Sequence, residues 1–187
     1  MVDVGRQKQI QVNWKFFSLK LINKDREVPE DYRLLHGIGL KALRVAAAVR
    51  AEFGNQSVGK VYTAMGVRCH HDEADIDEPS ALEEILQTCG LPTRLAAAAE
   101  NESLDIDIQA DMDQAIAKAG ADVGVPQIVL DGGQGPGFFG PVMSPAPTGE
   151  DAVKFWDAII AAGSMLGFFE LKRTREVGPI FGELPKV

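Results

Sequence analysis

Strand-like sequence lies on both sides of a long helical block, and this order limits the fold more than any other feature. Residues 9–17 alternate polar and apolar side chains, which is typical of a half-buried β-strand. Residues 125–131 and 138–142 are short apolar runs joined by a glycine-rich turn, and they predict a hairpin with a buried first strand. β-structure divided by a helical block predicts an α/β fold: a small sheet with a large helical insertion.

Helical patterns fill the region between these strands, and another follows the hairpin. Ser80 and Glu83 have the spacing of a capping box for the third predicted helix. Residues 19–30 are interpreted as a connecting loop, and the tail from residue 176 as loop-like. The predicted helices are residues 32–53, 58–68, 80–90, 92–100, 106–119, a helix capped by Thr148 that contains residues 153–160, and a short helix that begins at 168–172.

Composition argues for an ordered globular domain and against two classes of partner. Hydrophobic residues make up 45% of the 187 and charged residues 25%. The net charge of -8 repels phosphate backbones, so we expect no nucleic-acid partner. No apolar run approaches the roughly 20 residues of a membrane helix, and residues 1–14 hold no apolar segment of signal-peptide type. We therefore expect no membrane partner and a cytoplasmic location.

The segment from Cys69 to Asp75 resembles a metal-binding cluster only in composition. Its two adjacent histidines, His70 and His71, cannot normally both face one ion, and no second group of ligands has a familiar spacing. We therefore expect no metal site and interpret the segment as a polar helix end, in which one histidine could carry out acid–base chemistry.

The hairpin region contains two further features. The glycines of 132–137 lead into a strand without a following Lys-Ser/Thr, so they predict a turn rather than a P-loop or a dinucleotide site. Pro126 opens a predicted strand, where it cannot donate to the ladder. Such a proline marks a special geometry, of which a cis peptide bond is one form.

Several segments taken together, in this order, resemble one family. The chain is similar to the actinobacterial DsbA-like oxidoreductases, and most of all to their mycothiol-dependent reductase branch. The match runs over nearly the whole chain. The matching segments are residues 17–23, 29–33, 62–66 with Arg68 and His70, 124–126, 138–142 and 168–173.

The resemblance implies a thioredoxin-like fold with a large helical insertion and a set of site residues. Pro126 takes the place of a cis-proline facing the redox centre, and Val125 offers main-chain groups to an extended thiol substrate. Asn23, Tyr32 and His70 match positions that line the active-site cleft, with His70 placed to handle a proton or steady a thiolate. We expect the Val125–Pro126 bond to be cis and to border a groove between the opening strand and the helical block.

The chain also departs from the family pattern. Family members carry a Cys-Pro-X-Cys or Cys-Pro-X-Ala motif at the start of the first helix, whereas residues 1–8 resemble the end of that helix. The first strand and the start of the first helix are then absent, and neither Cys69 nor Cys89 stands in for the nucleophile. We expect residues 1–27 and 121–187 to form an incomplete thioredoxin-like domain and residues 28–120 the insertion.

The expected function is DsbA-like thiol–disulfide exchange, with this chain inactive by itself. No tightly bound cofactor is expected, and a low-molecular-weight thiol such as mycothiol would be the co-substrate. The expected partners are a small thiol or disulfide substrate and a second copy of the chain, bound through an unpaired sheet edge. The alternative to this self-association is that the chain is a fragment of a longer reading frame. Two alternatives stay open. One is a non-catalytic thioredoxin-like binding module, and the other is a relative of the kappa-type glutathione transferases or hydroxychromene-carboxylate isomerases.

Overall fold

Seven α-helices and one two-stranded sheet form the regular structure of residues 1–182, the part of the chain that the computed structural model describes. The fold is mixed α/β and mostly helical, consistent with a thioredoxin-like fold carrying a helical insertion, so the predicted class is confirmed. The helices are α1 (Val2–Lys8), α2 (Leu19–Ile22), α3 (Glu30–Phe53), α4 (Asn55–His70), α5 (Pro79–Thr88), α6 (Asp105–Ala119) and α7 (Gly149–Gly163). The strands are β1 (Gln127–Val129) and β2 (Gly137–Phe139), and 3₁₀ turns occupy Thr93–Glu100, Glu102–Leu104 and Asp131–Gly133.

The chain divides into two compact units. One consists of residues 14–114, and the other combines residues 1–13 with 115–182. Within residues 1–182, no helix combines the length and the apolar character needed to cross a membrane.

The unit of residues 14–114 is built around α3. Val45 and Val49 of α3 are fully buried, together with Val61 of α4 and Leu86 of α5. A second cluster places Phe16 against other residues of α3 and against α6. Each fully buried aliphatic side chain stabilises the fold by about 1.5–3 kcal/mol, so these clusters hold the helices around α3.

Most of the predicted helices exist, and their differences have local causes. α3 ends at Gly54, which has a φ of 79° that side chains disfavour. α5 begins one residue earlier than predicted, because Pro79 occupies its first position, which suits the fixed φ of proline. The capping box was therefore wrong: the N-cap is Glu78, and Ser80 lies inside the helix.

Two segments differ in type from their predictions. The predicted fourth helix is a 3₁₀ helix over Thr93–Glu100, whose Leu95 and Ala96 pack into the core beside α3 and α5. Within the predicted loop of residues 19–30, α2 forms a single turn, and the Ser18 hydroxyl accepts a hydrogen bond from Leu21 N–H at 3.3 Å.

The first predicted strand, at residues 9–17, is wrong. Burial does alternate as expected, since Phe16 is 3% exposed while Lys15 before it is exposed. Residues 10–18 nevertheless form no strand. The alternation therefore reports which side chains face the interior, and not that the backbone belongs to a sheet.

Side chains occupy the backbone groups that a strand would use in this segment. Trp14 N–H donates to Asn55 Oδ1 at 2.7 Å, and Asn55 Nδ2 donates to Trp14 O at 2.7 Å. Phe16 N–H donates to Asp111 Oδ2 at 3.1 Å. Because these groups are satisfied by α4 and α6, they need no partner strand.

In the other unit, α1 packs against α7. The Asp3 carboxylate accepts a hydrogen bond from Gly149 N–H at 2.9 Å, at the N-terminus of α7, where a negative charge is favourable. Lys8 Nζ lies 2.5 Å from Asp157 Oδ1. The helical character expected for the first eight residues is confirmed.

The predicted hairpin is confirmed, with shorter strands than expected. β1 and β2 are antiparallel, with Gln127 opposite Phe139 and Val129 opposite Gly137. β1 is half-buried along its length rather than buried. The connecting turn begins with the 3₁₀ turn Asp131–Gly133, in which both glycines have positive φ.

The short helix predicted to begin at 168–172 is wrong, because these residues are irregular. Phe169 is 94% exposed and Leu171 is 90% exposed, so the segment has no buried face. A helix of five residues is not stable without such packing. The expected loop-like tail is irregular as far as residue 182, and residues 183–187 lie outside the described residues.

Candidate functional site

The five predicted site residues are divided between the two units. Asn23, Tyr32 and His70 belong to the unit of residues 14–114. Val125 and Pro126 belong to the other unit.

Asn23 and Tyr32 lie at the ends of neighbouring helices. Asn23 ends α2, and its Nδ2 donates to Leu19 O at 3.0 Å. Tyr32 lies in the first turn of α3 and is 59% exposed. Its ring meets the edge of His36, with 6.3 Å between the ring centroids. The tyrosine hydroxyl therefore belongs to an accessible aromatic surface, while the Asn23 amide is turned towards its own helix.

His70 is the last residue of α4, and its side chain is exposed. The loop that follows it is held by Arg68, whose Nε donates to Asp75 O at 2.9 Å and whose Nη1 donates to Glu84 at 2.7 Å. Arg68 therefore ties the segment after His70 to α5. The sequence analysis gave Arg68 no role, although it lies in one of the matching segments.

The two cysteines are free and half-buried. Burial raises the pKa of the Cys69 thiol; the neighbouring Arg68 opposes this shift, and Asp75 adds to it. Burial likewise raises the pKa of the Cys89 thiol, with Lys60 opposing. Attacking cysteines have a depressed pKa, so neither thiol has the character of a redox nucleophile.

Among the residues described, up to 182, no three His, Cys, Asp or Glu side chains are placed to hold one ion.

The Val125–Pro126 peptide bond is cis, the geometry that the resemblance implies. Pro126 O accepts a hydrogen bond from Gly140 N–H at 2.8 Å, which extends the hairpin by one pair. Val125 is 38% exposed, and within residues 1–182 its N–H and C=O form no hydrogen bond. A main-chain donor and acceptor that have no partner beside a strand can pair with an extended ligand.

Gln127 is a polar group of this region that the sequence analysis did not identify. Its Nε2 donates to Gly124 O at 3.2 Å, next to Val125. Its Oε1 is buried and has no hydrogen-bond partner among the residues that the structure describes. No sequence pattern marks this side chain, because its burial depends on how residues 124–127 bend into β1.

A family model described as "Rv2466c-like: Mycothiol-dependent nitroreductase Rv2466c" matches residues 1–173. The chain belongs to the Rv2466c-like family. All five site residues lie within the matched range. The family is DsbA-like. Membership in it supports a thiol-dependent redox function with a small thiol as co-substrate.

One relative is also similar over most of the chain. The chain is 29% identical over 175 residues to "Uncharacterized protein Rv2286c" of Mycobacterium tuberculosis (strain ATCC 25618 / H37Rv). The alignment covers 92% of this chain and 73% of that protein.

Proposed function

We propose that this chain is the substrate-binding part of a DsbA-like thiol–disulfide oxidoreductase that depends on mycothiol. The observation that carries the proposal is the family match over residues 1–173. The unpaired main chain of Val125 beside the cis bond supports it. The proposal places the chain in the cytoplasm, where thiols are kept reduced.

The proposed chemistry is thiol–disulfide exchange. A thiolate attacks one sulfur of a disulfide, forms a mixed disulfide and releases the other sulfur as a thiolate. A second thiolate then attacks the mixed disulfide and restores the first thiol after protonation. Each step requires a thiolate, and burial raises the pKa of both Cys69 and Cys89, which lowers the thiolate fraction of each. The attacking cysteine in this proposal is therefore neither of these two.

Each site residue has a separate role in the proposal. Val125 pairs its main-chain N–H and C=O with an extended thiol substrate, and Pro126 contacts the substrate beside it. Tyr32 contacts the substrate through its hydroxyl, and Asn23 through its Oδ1, because its Nδ2 donates to Leu19 O. His70, exposed at the end of α4, transfers a proton or steadies a thiolate.

The second copy of the chain remains part of this proposal. Within residues 1–182 the sheet has only two strands, so the outer edges of β1 and β2 have no strand partner. Open edges recruit further strands. We propose that two copies associate through such an unpaired edge of the sheet.

Binding of reduced mycothiol to the 187-residue chain tests the proposed role of Val125. Val125→Pro removes the N–H, and we expect it to weaken binding at least tenfold by isothermal titration calorimetry. Val125→Ala keeps both main-chain groups and serves as the matched control, with an expected change below threefold. Equal affinities for the parent chain and Val125→Pro would contradict the role of the main chain.

A further inference from the structure

A pocket of about 350 Å³ lies along α3 within the unit of residues 14–114. Arg33, Leu34, Gly37, Ile38 and Lys41 line it from successive turns of this helix. The side of the pocket formed by α3 therefore has an apolar middle, with Arg33 and its partner Glu30 at one end and Lys41 and Arg44 at the other. From Arg33 to Lys41 the helix rises about 12 Å.

The pocket lies on a different face of α3 from Tyr32. Lys41 follows Tyr32 by nine residues, which is about 180° around the helix. Gly37 follows Tyr32 by five residues, about 140° around. The pocket therefore lies on a different face of α3 from the Tyr32 side chain.

One end of the pocket contains carboxylates around Lys41. Lys41 Nζ lies 3.0 Å from Glu100 Oε1 and 3.9 Å from Asp77 Oδ1. One ammonium group thus faces two carboxylates, and the Glu100 side chain is 72% exposed. This end retains negative charge that a ligand can reach.

Carboxylates also outnumber cations around Arg44, one turn further along α3. It is 6% exposed, and its Nε and Nη2 each donate to Asp105 at 2.7 Å. Its Nη1 donates to Ala99 O at 3.1 Å. Asp105 therefore neutralises this guanidinium. Glu102, 4.0 Å away and 86% exposed, remains accessible as a further carboxylate.

The pocket also carries cations that are open to a ligand. Lys20 lines it and forms no ion pair within the part of the chain that the structure describes. Arg33 pairs with Glu30 at 3.2 Å, but both side chains are more than half exposed. An exposed pair of this kind is weak, so a ligand carboxylate can compete for Arg33.

We propose that this pocket binds a small zwitterion of the class of a short peptide with free termini. Its ammonium group lies against Glu100 and Glu102, and its carboxylate against Lys20 and Arg33. Small apolar side chains of the peptide contact Leu34 and Ile38. An extended tripeptide spans about 10 Å, which is close to the rise of about 12 Å along α3 from Arg33 to Lys41. This binding activity is additional to the proposed thiol chemistry and does not depend on it.

Two glycines of α3 provide a matched pair of variants. A Cβ on Gly37, which lines the pocket, would have no atom within 4 Å, and the same holds for Gly39, which does not line it. Gly37→Gln therefore adds a side chain at the pocket wall whose Cβ meets no other atom. Gly39→Gln makes the same substitution two residues away and leaves the pocket open.

The probes for calorimetry are the tripeptide Ala-Ala-Ala with free termini and its N-acetylated, C-amidated form, titrated into the full chain. We expect saturable binding of the free peptide and binding of the blocked peptide at least tenfold weaker. Gly37→Gln should weaken binding of the free peptide at least tenfold, and Gly39→Gln by less than twofold. Circular dichroism of each variant checks that the helices are retained.

Three outcomes would overturn the proposal: no saturable binding of the free peptide, equal binding of the blocked form, or equal binding by Gly37→Gln and Gly39→Gln. None of these depends on mycothiol binding, so failure of this proposal and failure of the thiol proposal can be distinguished.

Discussion

Burial of the two thiols determines what Cys69 and Cys89 contribute to thiol chemistry. Each side chain is half-buried, and desolvation of the thiolate raises both pKa values. At any pH near neutrality, the thiolate fraction of each is then smaller than that of a free cysteine. The positive charges of Arg68 and Lys60 oppose this shift without reversing it.

Alkylation by iodoacetamide measures this effect directly. Because only the thiolate reacts, we expect both cysteines to react more slowly than free cysteine between pH 7 and pH 9. Their rates should keep rising at pH values where that of free cysteine levels off. The variants Cys69→Ser and Cys89→Ser assign the rates by mass spectrometry.

The same variants test whether either thiol supports turnover. With mycothiol and an aromatic disulfide, we expect no reduction above the uncatalysed rate for the parent chain or for either variant. Turnover that is lost in Cys69→Ser, or alkylation of Cys69 faster than that of free cysteine at pH 7, would contradict the proposed inactivity of these thiols.

At the scale of elements, the irregular segment of residues 10–18 depends on the helices beside it. Asp111 of α6 is 4% exposed and accepts from Lys15 Nζ at 2.9 Å and from Phe16 N–H. Arg50 of α3 also pairs with Asp111, and its guanidinium lies 4.2 Å from the centre of the Phe16 ring. One buried carboxylate thus joins this segment to two helices.

Asp111→Ala should destabilise the unit of residues 14–114 by about 3–5 kcal/mol, because two cations and a backbone N–H lose their partner. Urea unfolding followed by circular dichroism gives the change in the free energy of unfolding. Asp113→Ala removes an exposed carboxylate of the same helix, which accepts a hydrogen bond from Gln109 Nε2, and should cost about 0.5 kcal/mol or less. Similar losses for the two variants would show that the buried network does not stabilise the segment.

At the scale of the whole molecule, net charge opposes the association of two copies, whereas the exposed sheet edges favour it. The net charge of -8 disfavours close approach of two copies. The two-stranded sheet nevertheless offers unpaired edges within the described residues, and Phe139 at the end of β2 is 41% exposed. Salt screens the repulsion but leaves strand pairing almost unaffected.

Light scattering over a range of protein concentrations tests the proposed association. We expect the apparent mass to approach that of a dimer as concentration rises, and to do so at lower concentration in 0.5 M salt than in 0.05 M salt. The melting temperature should rise with concentration for the same reason. A cooperatively folding monomer of constant mass across this range would rule the dimer out.

Local sequence was enough to predict the hairpin and most helices, because their signals lie within a few residues. Gly132 and Gly133 supply positive φ angles in the turn, and Gly54 ends α3 in the same way. The matching segments also predicted the family, since the family model matches residues 1–173.

Tertiary structure decided the rest, since the partners of a backbone group are distant in sequence. The alternation at residues 9–17 predicts the pattern of burial correctly, but only the positions of Asn55 and Asp111 determine that the segment is no strand. The pocket along α3 likewise depends on carboxylates that lie up to about 60 residues away in sequence from Lys41. A pattern of polar and apolar residues encodes which side chains are buried, whereas hydrogen-bond partners and pockets are set by the packing of whole elements.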